Sequence, residues 1–195
     1  FWRGRCIRLM VTKTDTTELV TEPNLQQRTV PSYKRWLKHF MYMPASKRYF
    51  SKVDQAAIAE AVKQAEMGHV GEIQVVIEGH IPASSAYYQN TRLRAQQLFA
   101  EIGVWDTEYN SGVLLYLNLC EQQVEIVIDR GIHQATEAQV WQIICNAITL
   151  KLKEKHYRKA VIDGVSEIGQ VLNQFYDQQI SESENELTNS PIMLN

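Results

Sequence analysis

The sequence predicts an α/β fold: a three-layer sandwich in which a small mixed β-sheet is covered by helices on both faces. Three observations predict it. Segments 72–78, 113–119 and 123–129 are short, rich in Val, Ile and Leu, and bounded by turn residues, as strands are. The segments around them repeat apolar residues at helical spacing. Their order, α-β-α-β-β-α-α, contains one long crossover and one tight connection, which makes the first two strands parallel and the third antiparallel to the second.

Composition sets the bounds. With 195 residues, 45% apolar and 22% charged, the chain has the make-up of a soluble globular protein of one domain with extensions. No apolar run approaches the roughly 20 residues of a membrane span, which argues against an integral membrane protein. The start, FWRGRCIRLM, scatters its apolar residues among arginines and does not read as a signal peptide; Met10 reads as a natural start. Cys6, Cys120 and Cys145 form no CxxC and are odd in number, so buried thiols and a cytoplasmic location are expected. Charge is uneven: residues 1–50 carry net +7, residues 51–176 net −5 and residues 177–195 net −4.

Residues 1–31 hold a stretch rich in Thr, Glu, Gln and Pro, and are expected to form a disordered arm. Residues 32–50 read as a basic aromatic helix, residues 51–176 as the α/β domain and residues 177–195 as an acidic disordered tail. Within the domain, Ser51 and Asp54 form a capping box opening a helix that Gly68 stops. GEIQVVIEG (71–79) is a strand between glycines, and residues 85–103 are a helix with Tyr88, Ala95, Leu98, Phe99 and Ile102 on one stripe. VLLYLNL (113–119), apolar at nearly every position, is a central strand. The polar CEQQ turns the chain into 123–129. Thr136 with Gln139 is expected to open a helix through about residue 155, and a last helix starts at Tyr157.

This topology gathers polar residues at one rim. The start of the first strand (Glu72), the start of the second (Asn110) and the end of the third (Asp129, Arg130) fall at the same sheet edge. Asp106 enters from that side, and His133 and Glu137 leave along it. Glu72, Asp106, Asn110, Asp129 and Glu137 offer oxygens to a hard cation, Ca²⁺ or Mg²⁺. Asp129, Arg130 and His133 form the candidate catalytic set. Each also has a plain structural reading: solvated strand ends, a surface ion pair, a favourable charge in a first helical turn. Ligands in open α/β sheets usually bind at the opposite edge, where Glu78 and His80 lie.

YKRWLKHFMYMPASKRYF (33–50) interleaves bases and aromatics. As a helix it puts Trp36, Phe40 and Met43 on one face with Lys34 and Lys38 elsewhere; Lys34, Arg35, Trp36, Lys38 and Phe40 are the candidate contacts to a membrane surface or a protein partner, and nucleic acid ranks behind both. The structural alternative is a helix docking its aromatics on its own domain. P-loop, GxGxxG, HExxH and GxSxG motifs are absent from the sequence.

GEIQVVIEG, AQQLFAEIGVWDTEYNSGVLLYL, VEIVIDRGI and the run from Glu137 to IDGVSEIGQVL together resemble the TPM domain family over residues 71–175. The resemblance implies a mixed α/β sandwich, and an acidic rim that in some relatives holds a divalent cation and for which a phosphatase role has been proposed. By position, Glu72 matches the acid that opens the first strand and Asn110 the asparagine before Gly-Val-Leu-Leu. Glu137 stands where an aspartate is common. The family's Gly-Tyr-Gly-Leu-Glu is Asp129-Arg130-Gly131-Ile132-His133 here, so a histidine replaces its glutamate and an arginine enters. Two functions are expected to compete: a divalent-metal-dependent phosphatase acting on a phosphorylated substrate, and a non-catalytic interaction module of a membrane-associated assembly, peripheral at the membrane.

Overall fold

Val113 to Leu117 is apolar at every position, and such a strand is stable only when both its faces are covered. A computed structural model describes residues 3–4, 31–42, 48–175 and 186–194 of the chain and places that strand at the middle of a five-stranded sheet. The elements are β1 (Arg3–Gly4), α1 (Tyr33–Met41), α2 (Lys52–Ala65), β2 (Glu72–Glu78), α3 (Ala83–Ala86), α4 (Thr91–Glu101), β3 (Gly112–Asn118), β4 (Gln123–Ile128), α5 (Arg130–Ala135), α6 (Ala138–Lys153), α7 (Tyr157–Phe175) and β5 (Ile192–Leu194). The strand order is β1-β4-β3-β2-β5. β2 and β3 are parallel, with Ile73 opposite Val113, and β3 and β4 antiparallel, with Leu115 opposite Ile126. The sequence predicts both pairings.

Alternation along the strands sorts two cores. Ile73, Val75, Ile77, Val113, Leu115, Leu117, Ile126 and Ile128 face α2, α6 and α7. Val76, Leu114, Tyr116 and Val127 face α4, through Ala95, Leu98 and Phe99. Helices thus cover both faces, and every residue of β2 and β3 is buried. At the α4 face the strands also bury charge. Glu78, 1% exposed, is gripped by the Arg94 guanidinium at 2.8 and 3.1 Å and accepts the Tyr116 hydroxyl, whose oxygen accepts the Asn118 amide at 2.8 Å. A buried carboxylate needs such a paired, hydrogen-bonded setting.

The helix starts test the capping expectations. Ser51 and Asp54 make the reciprocal box at the start of α2. The helix expected over 85–103 is two: Asn90, with extended backbone, interrupts it and caps α4 by accepting from Leu93 N at 2.9 Å. Tyr88 therefore leaves the inward stripe and is exposed. Thr136 does not open α6. It closes α5, its hydroxyl donating to Ile132 O and accepting from Trp141 Nε1, both at 2.8 Å, while Glu137 stands at the start of α6 without a side-chain cap.

Both ends of the chain depart from expectation. Of the arm, Arg3–Gly4 pair in parallel with Gln123–Val124; residues 5–30 lie outside the described residues. Of the tail, residues 186–194 are not a solvated extension: Ile192–Leu194 pair in parallel with Val76–Glu78. Cys120 is the buried free thiol expected, but Cys145, buried in α6, is disulfide-bonded.

α7 approaches α2 and α6 at glycines. A Cβ on Gly169 would meet Ala65 O at 2.8 Å, and one on Gly164 would meet Ile148 Cδ1 at 2.4 Å. Helix propensity alone favours Gly169→Ala by about 1 kcal/mol. The fixed Ala65 backbone reverses the sign, and the expected result is a destabilisation of about 1–3 kcal/mol, read as a lowered midpoint in denaturant unfolding.

Candidate functional site

The rim forms at the edge where β2 and β3 begin and β4 ends. Glu72 pairs with Gly112 across the parallel ladder, and Asp129 N donates to Gly112 O at 2.9 Å, so Glu72, Gly112 and Asp129 share one rung. In-register residues point to the same face, here the α4 face. Gly112 leaves a gap between the two acids, but the gap is filled: a Cβ there would sit 1.9 Å from Val104 O. The Val104 carbonyl stands between Glu72 and Asp129, whose Cα atoms are two strand spacings, roughly 9–10 Å, apart.

Asp129 opens α5. Its Oδ1 accepts from Arg130 N, while Oδ2 is buried and has no hydrogen-bond partner. Burial raises the pKa of this carboxyl, against the opposing pull of the Arg130 amide and charge. Asn110 has left-handed backbone, φ 51°, and its carbonyl accepts from Gly131 N at 3.2 Å. Gly131 is required there, because a Cβ would lie 2.6 Å from Asn110 O. His133 follows one turn on, its N–H on Asp129 O at 3.0 Å. Asp106 and Glu137 are exposed. The rim thus brings Glu72, Asn110, Asp129 and Arg130 to one edge and leaves Asp106 and Glu137 outside.

Glu72 is 5% exposed, and its two oxygens accept the backbone N–H groups of Glu186 and Leu187, each at 3.3 Å. Glu186 reaches back to accept from Glu108 N at 3.1 Å. Burial raises the Glu72 pKa, and the Glu186 charge raises it further, against the two N–H donors. The tail therefore covers the rim. Sequence reasoning also missed Glu66, whose Oε1 accepts from Ile73 N at 2.8 Å on the open edge of β2. Burial, with Glu72 nearby, pushes the Glu66 carboxyl up to about 8.

The opposite edge holds a second cluster. Among the described residues, His39, Cys120 and Glu121 place ligand-type atoms within 4.8 Å of one another, and no comparable group of acids forms at the rim. His39 is fully buried; its Nδ1 accepts from Ile81 N at 3.0 Å and its Nε2 lies 3.0 Å from Glu121 Oε1. An Nδ1 that accepts leaves the imidazole proton on Nε2, the nitrogen nearest Glu121. Nε2 then has no lone pair for a metal, and burial pushes the Cys120 thiol up to about 12. Burial raises Glu121 as well, but His39 and Lys38 outweigh it and hold Glu121 below its ordinary value. This cluster is a latch for α1 and not a metal centre in this tautomer.

Other contacts fasten the same side of α1. Arg35 donates to Ala86 O at 2.6 Å and Tyr87 O at 3.0 Å, and Lys38 pairs with Glu121 at 3.3 Å. Arg35 and Lys38, expected to face a membrane or partner, are thus used within the domain. The aromatics take the reverse of the structural alternative. Trp36 stacks between Tyr33 and Phe40, with ring centroids 5.2 and 5.4 Å apart. Tyr33 is 64% exposed and Phe40 63%. Lys34 is exposed on the same helix. A groove of about 310 Å³ runs between Tyr33 and Trp36 on one side and Ala83, Ser84, Tyr87 and Tyr88 on the other.

With this fold and rim in place, comparison with known proteins decides the family. The family model for the TPM domain matches residues 45–171. The chain belongs to the TPM domain family. Among solved structures, the NMR structure of BA42 protein from the psychrophilic bacterium Bizionia argentinensis matches this TPM domain with a TM-score of 0.65 at 24% identity, covering 73% of this chain and 94% of that one. At that identity the likeness concerns the fold alone. Among curated proteins none matches.

The raised acids make stability depend on pH. Folded Glu66 keeps its proton up to about pH 8, whereas the unfolded chain releases it near 4.5, so the folded state binds more protons between those values. Stability is full below about pH 4.5 and is lost as pH rises through 8. Gln at position 66 can still accept from Ile73 N. Glu66→Gln is therefore expected to gain stability relative to the parent from pH 5 to pH 8, measured by denaturant unfolding at both; an unchanged difference contradicts the assignment.

Proposed function

We propose that this TPM-domain chain is a non-catalytic interaction module of a membrane-associated assembly, with the aromatic face of α1 as its contact surface. One observation carries the reading: α1 is fastened by its polar side and presents its aromatics outward. A helix normally buries the apolar stripe and shows the polar one. Tyr33, Leu37, Phe40 and Met41, with the half-buried Trp36 stacked between two of them, instead make an exposed apolar patch, the kind of surface that marks an interaction site. Clamping by Arg35 and His39 pre-organises it and lowers the entropy lost on binding. The net charge of +7 over residues 1–50 suits an anionic surface. No described helix is long and apolar enough to cross a membrane, so the contact in this reading is peripheral. One short helix holds lipid weakly, and a second contact within an assembly would add to it. Trp36→Ala with Phe40→Ala is expected to remove most of the sedimentation of the full chain with phosphatidylserine vesicles at low salt, leaving the fold intact by circular dichroism. Equal sedimentation of variant and parent contradicts the proposal.

A divalent-metal-dependent phosphatase at the rim is the second reading, favoured by the buried, unpartnered Oδ2 of Asp129. As arranged, the residues do not fit a cation. Val104 O separates Glu72 from Asp129, both oxygens of Glu72 accept tail N–H groups, and Asp106 and Glu137 point to solvent. No catalytic step is therefore derived through a metal. What remains is Arg130, suited to bind a phosphoryl oxygen, and His133, suited to move a proton. On this reading aryl phosphates are turned over with Ca²⁺ or Mg²⁺ present, and Asp129→Asn abolishes turnover. A parent chain without activity, or a variant equal to it, removes the reading.

A further inference from the structure

We infer that residues 186–194 are a releasable strap, and that the groove they occupy is a binding site for an extended peptide. The groove is the outer edge of β2 from Gln74 to Gly79, with the Glu72 carboxylate at its foot.

The groove is built to take backbone. Gly79 N donates to Leu194 O at 2.9 Å, Gln74 Nε2 to Ser190 O at 3.4 Å, and Glu72 receives two consecutive N–H groups. An edge strand with free N–H and C=O groups accepts an added strand from any suitable chain. Glu66 caps only Ile73 N, three residues before the strap's pairing begins at Val76. Beside the edge, Leu187, Ile192 and Leu194 rest on the core formed by Val76, Leu98 and Tyr116.

The same contacts mark the strap as easily opened. Its paired strand is three residues long and every one of them is only half-buried. The Glu72, Gln74 and Glu108 contacts are at the long end of the hydrogen-bond range, 3.1–3.4 Å. Glu186 lies close enough to Glu72 for like-charge repulsion, a cost carried only by the closed strap. Opening leaves the buried members of both cores in place, because the strap adds only partly buried apolar side chains to them, Met193 to one and Leu187, Ile192 and Leu194 to the other. Segments of this kind open below the free energy of global unfolding.

The ligand chemistry follows from the occupant. A competing peptide is extended, offers two successive N–H groups to Glu72, and follows them with apolar residues at i and i+2 for the Ile192 and Leu194 positions. An acid at the Glu186 position adds a bond to Glu108 N. This site is separate from α1 and stands whether or not α1 docks on a membrane.

The test uses a fluorescein-labelled peptide of residues 186–194 as probe and the full chain as receptor. Ten residues join Phe175 to Glu186, so the tethered strap is present at roughly millimolar effective concentration. The parent chain is expected to bind the probe on the order of 10²-fold more weakly than Ile192→Asp with Leu194→Asp, which dislodges the strap. Adding Glu72→Ala to that variant should weaken the probe about tenfold. Hydrogen exchange on the parent supplies a readout that needs no substitution. The Gly79, Glu186 and Leu187 amides should exchange faster than that of Leu115, with Glu186 and Leu187 faster still in Glu72→Ala. Equal binding by parent and variant, a folded variant that does not bind, or strap amides as slow as Leu115 overturns the inference. Strap protection that appears only in a concentration-dependent dimer also overturns it, since the groove would then hold a neighbour's strap.

Discussion

β2 and β3 are buried along their whole length, yet they carry polar side chains, and every one of those must find a partner inside the protein. Glu72, Gln74 and Glu78 alternate with Ile73, Val75 and Ile77 and so fall on the face toward α4. Much of the remaining architecture answers that demand. Arg94 comes from α4 to grip Glu78 and ties that helix to the sheet. At the other end of β2, Glu72 is matched by backbone N–H groups brought from the far end of the sequence. A buried carboxylate left unpaired would cost several kcal/mol or remain protonated, so the strap is a consequence of placing Glu72 in β2.

The same demand shapes the rim. A divalent ion needs several oxygens converging at 2–2.6 Å. Glu72 and Asp129 share a rung and a face, which satisfies topology, but the loop before β3 lays the Val104 carbonyl over Gly112 between them. Gly112 permits this crossing and no other residue would, since any side chain would collide with that carbonyl. Arg130 and His133 alter the charge of the same corner. The chain keeps the fold of the TPM family while its rim acids are held apart.

On the opposite side, α1 is inverted relative to an ordinary surface helix. His39 is fully buried, and the Ile81 N–H on its Nδ1 sets its tautomer while Glu121 lies 3.0 Å from its Nε2. With Arg35 on the carbonyls of Ala86 and Tyr87, the polar side is consumed and the aromatic side faces out.

Periodicity and turn chemistry were enough for β2, β3 and β4, the parallel and antiparallel pairings among them, the Ser51 box and the long last helix, because each depends on residues close in sequence. Local signals misled where two readings compete for the same residue. Thr136 suits a cap, but its hydroxyl closes α5 and receives Trp141; Asn90 breaks a stripe that apolar spacing alone would continue. The tail offered one signal that composition masked, the Pro-Ile-Met-Leu run after a polar stretch. By itself the sequence determined which residues form the three inner strands and which edge collects Glu72, Asn110, Asp129 and Arg130. Only the tertiary structure decided that Val104 would part the acids, that a segment 114 residues away would cover Glu72, and that α1 would turn its aromatics outward. Those outcomes depend on long-range contacts whose partners share no spacing in the chain.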